Sequence, residues 1–165
     1  MSKENNTQPK AAAIALPTVA QLKAMEIPNA EKLTILKKIL NQQPPAQWIR
    51  KNNGIPYLPI SKVELMLRTC FDAYRVEIKS VTHIVNSIMI HVTLHVLNPI
   101  TGIWENNDGI GASPIQTKSG AGAIDWTQVA NSAVQMSAPS AESYAIKDAA
   151  EKFGRIFGSD IARKN

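Results

Sequence analysis

Ile88-Met-Ile-His-Val-Thr-Leu-His-Val-Leu97 is the stretch on which the fold turns. Ile88, Ile90, Val92, Leu94 and Val96 alternate with Met89, His91, Thr93, His95 and Leu97. That is the two-residue period of a strand with one face in a core, because successive side chains point to opposite faces. Upstream, Tyr74, Val76 and Ile78 alternate with Arg75, Glu77 and Lys79. Downstream, Asn98-Pro-Ile-Thr-Gly102 is rich in turn formers, and Ile103 to about Gly111 supplies another strand through Trp104. Connections this short make the pairing antiparallel, so the middle of the chain reads as a β-meander.

On both sides of the meander the period returns to that of a helix. At the end of the chain Ile146, Ala149, Ala150, Phe153, Ile156 and Phe157 recur at the spacing of one helix face. Lys147, Lys152 and Arg155 fall on the other face. Pro139 and Ser140 mark the expected start and Gly158 the stop. Before the meander, Val63, Met66, Leu67, Cys70 and Phe71 form the stripe of a helix over Ser61–Phe71, with Ser61 as N-cap and Glu64 completing a capping box. Asn52-Asn-Gly-Ile-Pro56 reads as a turn, and Trp48 sits in a helical turn. Asn29 is the expected N-cap of a helix carrying Leu33, Leu36, Ile39 and Leu40, and Pro17-Thr18 opens a shorter one. Thr127 to Met136 suggests one more helix, after a loop around Lys118. The fold class is therefore α+β: an antiparallel meander of three to four strands packed on a long C-terminal helix, preceded by a helical N-terminal arm. Residues 1–44 are assigned to the arm, partly disordered and partly helical, and residues 45–165 to the core domain.

Bulk properties narrow the function classes. With 165 residues, 44% of them hydrophobic and 19% charged, the chain can bury a real core. A single cysteine, Cys70, excludes a disulfide framework and a multi-cysteine zinc site. It sits among Met66, Leu67 and Phe71, the setting of a buried thiol rather than a nucleophile. No apolar run approaches the roughly 18 residues needed to span a membrane, and the polar first residues lack the pattern of a signal peptide. The expected location is the cytoplasm. Net charge is +5, unevenly spread. Glu31 to Lys79 holds nine Lys/Arg against four Asp/Glu, and Lys147 to Asn165 five against three. Between them Lys118 is the one basic residue against four acidic ones. A fold that joins the two basic segments creates a surface suited to a polyanion.

Enzymatic motifs are missing. His91 and His95 share a strand face but stand about 13 Å apart, too far to chelate one metal. No phosphate-binding P-loop, nucleophile elbow or two-metal carboxylate cluster occurs. The chain is expected to be neither an enzyme nor a binder of a metal or cofactor.

The segments together resemble the Rad52 family of single-strand annealing proteins, its phage-encoded members in particular. The likeness runs from about Tyr57 to Ile161. Tyr57-Leu-Pro-Ile-Ser-Lys-Val-Glu-Leu-Met-Leu-Arg-Thr-Cys-Phe71 is similar to the family's first core helix. Trp104-Glu-Asn-Asn-Asp-Gly-Ile-Gly111 is similar to its third strand, with a Gly-x-Gly end, and Ser143 to Gly158 to its hallmark helix, where basic residues precede a Phe-Gly pair. Residues 1–56 lie outside the likeness. The resemblance implies ATP-independent binding of single-stranded DNA and annealing of a complementary strand in recombination or repair by an oligomeric ring. It carries the inner DNA-binding groove onto Lys62, Lys152 and Arg155. Glu151 occupies one of the family's basic positions, which implies a groove less positive than in eukaryotic members. A second DNA-binding site falls on Lys118, Arg163 and Lys164. A host single-strand-binding protein is a further candidate partner; no cofactor and no membrane is implied. Lysine and arginine on phosphates make binding sensitive to salt and blind to sequence. The low aromatic content, 5%, favours holding the backbone over stacking the bases. The reading from another class is a structural or protein-interaction module with incidental charge; a small metal-dependent nuclease stands third, without its ligand set.

Overall fold

A computed structural model describes residues 16–162. Residues 1–15 of the arm, within the stretch to about residue 16 expected to be its disordered part, and the second-site candidates Arg163 and Lys164 lie outside the described residues. The elements are α1 (Val19–Ala24), α2 (Asn29–Leu40), β1 (Arg50–Asn52), β2 (Ile55–Tyr57), α3 (Ile60–Cys70), β3 (Ala73–Ile84), β4 (Ser87–Leu97), β5 (Trp104–Pro114) and α4 (Ala133–Glu151). The meander is an antiparallel sheet of order β3-β4-β5, and β1 and β2 form a separate two-stranded hairpin. The architecture is α+β, the sheet packed on C-terminal α4 and preceded by the helices of the arm.

Alternation in β4 does what its pattern dictates. Ile88, Ile90, Val92, Leu94 and Val96 are all buried. They meet α4 and the α3 stripe of Val63, Met66, Leu67 and Cys70 in one core, closed by Phe71, Ile156 and Phe157. Phe71 stacks on Phe157 at 6.2 Å and meets Phe153 edge-on at 5.6 Å. Burial pushes the Cys70 thiol up to about 11, so it stays protonated at neutral pH. In β3 the register with β4 shifts between Ile78 and Ser80. The shift changes parity, so that Val81, not Ser80, pairs with core-facing Ile90. An alternating pattern read along the sequence stops there, and β3 runs five residues past Lys79 to Ile84.

Three boundaries differ from the sequence reading. The C-terminal helix begins at Ala133, not at Pro139 or Ser140, and takes in only the last four residues of the segment expected as a separate helix over 127–136; a 3₁₀ turn at Trp126–Gln128 precedes it. Pro139 lies inside the helix on its exposed side, and the hydrogen bond it cannot make would have ended on the carbonyl of exposed Gln135, which water can serve. The added turns bury Ala133 and Ser137, and beyond them runs a stripe of small residues. Ala141, Ala145 and Ala149 lie so close to β5 that a Cβ on Gly109 or Gly111 would overlap their backbone. The Gly-x-Gly of β5 is thus the seat of α4. Second, α4 stops at Glu151 rather than Gly158; the chain turns at Gly154, where it abuts Leu40 of α2, and Arg155–Phe157 form a 3₁₀ turn. Ile156 and Phe157 are still buried, because the turn folds them back onto the core. Third, α2 and α3 start one and two residues before their expected caps allow, behind Pro28 and Pro59. Asn29 and Ser61 are the first and second helical residues, not caps, and the Ser61–Glu64 capping box is not formed. Thr18 and Gln21 do form one at α1.

The arm has a small core of its own, Val19, Leu22, Leu36 and Ile39, with Leu40 shared with the main one. Lys23 ties it to Asp72 at 2.7 Å. Among the described residues no helix is long and apolar enough to cross a membrane.

Candidate nucleic-acid interface

Aromatic residues divide cleanly by type. The three phenylalanines, Phe71, Phe153 and Phe157, belong to the core. The three tyrosines and three tryptophans lie at its rim or on the surface, and five of the six carry a lysine or arginine. Lys62 Nζ is 5.1 Å from the Trp48 ring centre, Arg68 Cζ 5.7 Å from Tyr74 and Arg75 Cζ 5.3 Å from Trp104. Lys147 Nζ is 5.5 Å from Tyr57 and 4.7 Å from Tyr144. Trp126 instead meets His83, their ring centres 4.9 Å apart. A cation over a ring face is attracted by the ring quadrupole, more strongly where water is partly excluded.

Lys147 is the most constrained of these cations. It leaves α4 between two rings, with the β1–β2 hairpin opposite. Asn53 and Gly54, both at positive φ, make the two-residue turn of that hairpin. Pro56 and Tyr57 follow it, bringing the Tyr57 ring against α4. The result is an open cleft of about 340 Å³ lined by Asn52, Asn53, Ile55, Tyr57, Tyr144 and Lys147. Burial of the Lys147 ammonium lowers its pKa, and the nearby Glu151 carboxylate works against that shift. Glu151, expected only to dilute the groove's charge, therefore acts on one particular lysine; the two also line a neighbouring cleft with Leu58 and Phe157.

The residues carried over from the resemblance each have their own partner. Lys62, half-buried on the first turn of α3, rests on Trp48. Lys152 caps the end of α4 and reaches across to β5. It donates to the Asp108 carbonyl and pairs with Asp148 at 3.1 Å. Asp148 in turn accepts from the Ile110 backbone N–H at 3.1 Å. Asp148 and Lys152 thus satisfy two outward groups of β5, an edge strand that would otherwise offer them to another chain. Lys152 also lines a groove with Lys37 of α2 and Glu105. Arg155, on the 3₁₀ turn, pairs with Asp160. Lys118 is exposed in the loop after β5, its backbone N–H bonded to the Gln128 carbonyl. So Lys62 and Lys147 are held on aromatic rings, whereas Lys152 and Arg155 are held by acids. Lys147 and its tyrosines were missed as a site in the sequence because β1–β2 and α4 are about ninety residues apart; the signal that remained was a lysine three residues after a tyrosine on a helix.

The open face of the sheet carries a polar row. His95 Nε2 lies 3.2 Å from Glu77, and His91 Nε2 3.7 Å from Asp108. The Thr93 hydroxyl donates to Asp108 at 2.6 Å. Lys79 and His95 hold the Glu77 carboxyl below its ordinary value, and Thr93 does so for Asp108. Among the described residues no three His, Cys, Asp or Glu are grouped as metal ligands would be.

No protein-family model and no curated protein matches the chain.

Proposed function

We propose that the protein binds single-stranded DNA and anneals complementary strands without ATP, as a cytoplasmic oligomer working in recombination. The observation that supports this best is the pairing of surface aromatics with cations. Single-strand binders combine a positive track for the backbone with ring faces on which bases stack. Lys62 on Trp48 and Lys147 between Tyr57 and Tyr144 supply both. Lys152 and Lys37 line a second groove, which also holds Glu105, and Arg155 and Lys118 add positive charge elsewhere. Strands held through phosphates and partly ordered keep base edges available, so two of them can pair, and duplex formation drives the reaction with no nucleotide hydrolysis. Oligomerisation into a ring adds up weak sites by multivalency.

Annealing of complementary oligonucleotides without nucleotide cofactor, titrated against salt beside light scattering, tests the proposal. Annealing that fades as salt rises, by a particle several times the 18.0 kDa chain, is the expected result. A monomer with no affinity for oligonucleotides at low salt overturns it.

A further inference from the structure

The cleft between the β1–β2 hairpin and α4 has a composition that phosphate gripping alone does not call for. Phosphates need cations and N–H donors. This cleft has one cation, two phenol rings, two carboxamides and Ile55. Tyr57 and Tyr144 are 38% and 47% exposed, so each keeps ring surface that nothing among the described residues covers. The Lys147 ammonium lies 4.7 Å from one ring centre and 5.5 Å from the other, and so marks a space that both rings border. At about 340 Å³ the space falls within the usual range for small-ligand sites, roughly 300–1,000 Å³. No carboxylate is among its lining residues, and the amides of Asn52 and Asn53 each offer donors and an acceptor.

The geometry points to a nucleobase site: we propose that each subunit takes one unstacked base of a bound single strand into this cleft, against Tyr57 and Tyr144, with Lys147 on the adjoining phosphate. This deepens the reading of single-strand binding above and rests on it. A flat, π-faced ligand joined to an anion suits two rings and a cation at once. Two carboxamides can meet the edge of any of the four bases by rotating, so the slot holds a base without selecting one. Lys147 already sits over the rings as a base's neighbour would, so little need be rearranged on binding. Removing one base per subunit from the stack also fixes the strand's spacing on the protein, which phosphate contacts made by flexible lysines do not.

The test uses the full chain and two probes, an oligothymidylate and the same strand with abasic sites throughout. Fluorescence anisotropy should show the wild type binding the intact strand at least about 5-fold more tightly, the stacking contribution of a base. Tyr57→Ala with Tyr144→Ala should abolish that preference while leaving salt-sensitive binding to the abasic strand. Tyr57→Phe with Tyr144→Phe, which keeps the rings, should retain it. Equal affinity of the wild type for both strands overturns the base slot and leaves strand binding standing. No binding to either strand at low salt overturns both. Free thymidine monophosphate in large excess should not displace the strand; displacement would assign the cleft to a free nucleotide and overturn the proposal. The wild-type comparison does not depend on any variant folding.

Discussion

Lys147 and Lys152 leave the end of the same helix, and they meet opposite kinds of surface. On the Lys147 side lie rings, a short hairpin and an open cleft. On the Lys152 side lies a strand edge, and the lysine is bound to the Asp108 carbonyl and to Asp148. The formal charge is the same, but its availability is not. A cation on a ring keeps its N–H donors for an incoming acceptor, since the ring face takes none of them as a conventional hydrogen bond does. A cation bonded to a backbone carbonyl and a carboxylate must give those up to reach a phosphate, and uncovers the β5 edge when it does. The amphipathic spacing that groups Lys147, Lys152 and Arg155 as one stripe therefore groups three different jobs.

The largest break in this comparison comes from the seam that holds both sides in place. Gly111→Val drives a branched side chain into the backbone of α4 at Ala141 and Ala145, where neither element can yield without separating the sheet from its helix. Overpacking of this kind costs about 3 kcal/mol or more, read as a fall in the denaturant midpoint. A variant as stable as the wild type would mean that α4 does not sit on β5 as described. Next in size is the contrast itself. Lys147→Met should weaken binding to single-stranded DNA and reduce the salt slope by about 0.7, the loss of one phosphate contact on a single strand. Its stability should change little, because the Lys147 ammonium makes no hydrogen bond among the described residues. Lys152→Met should do the reverse. It leaves the Asp108 carbonyl and Asp148 without their cation, at about 0.5–1 kcal/mol after allowance for a side chain that is half exposed, and costs less binding. If the two substitutions exchange these effects in melting and anisotropy measurements, the division of labour is wrong.

How much of this was legible in the sequence follows from what each signal encodes. Periodicity reports burial along one element, and it placed β4, the α3 stripe and the packing of the sheet on a C-terminal helix. It does not report what lies opposite. The helix runs back to Ala133 with Ala133 and Ser137 buried, and its later small residues fit Gly109 and Gly111 of β5; both are matches between segments that no single window contains. Pro139 looked like a start because proline usually is one, and it is tolerated inside because its missing bond faces water. Ser61 looked like a cap, but Pro59 already begins the helix. Residues Lys62, Lys152 and Arg155 were carried over by position from the resemblance; their partners Trp48, Asp108 and Asp160 are tertiary facts, which position does not give. The low aromatic fraction argued against stacking, yet it is an average that includes three core phenylalanines and says nothing of where tyrosine and tryptophan go.

The smallest expected effect sharpens the Lys152 side alone. Asp108 serves it twice: its carbonyl receives Lys152, and its carboxylate accepts from Thr93 and faces His91. The Thr93 hydroxyl is the leading cause that holds the Asp108 carboxyl below its ordinary value of 3.8. A carboxyl depressed in the folded state adds stability that is present above the unfolded value and is lost as pH falls through the lower folded one. Thr93→Val keeps the shape and removes the donor. The variant should therefore be slightly less stable than the wild type at neutral pH, with the gap closing below about pH 4 as Asp108 is protonated in both. Melting curves across that range check it. A gap that stays constant into strong acid would assign the Thr93 effect to packing and would leave Asp108 with its carbonyl contact to Lys152 as its tie to α4.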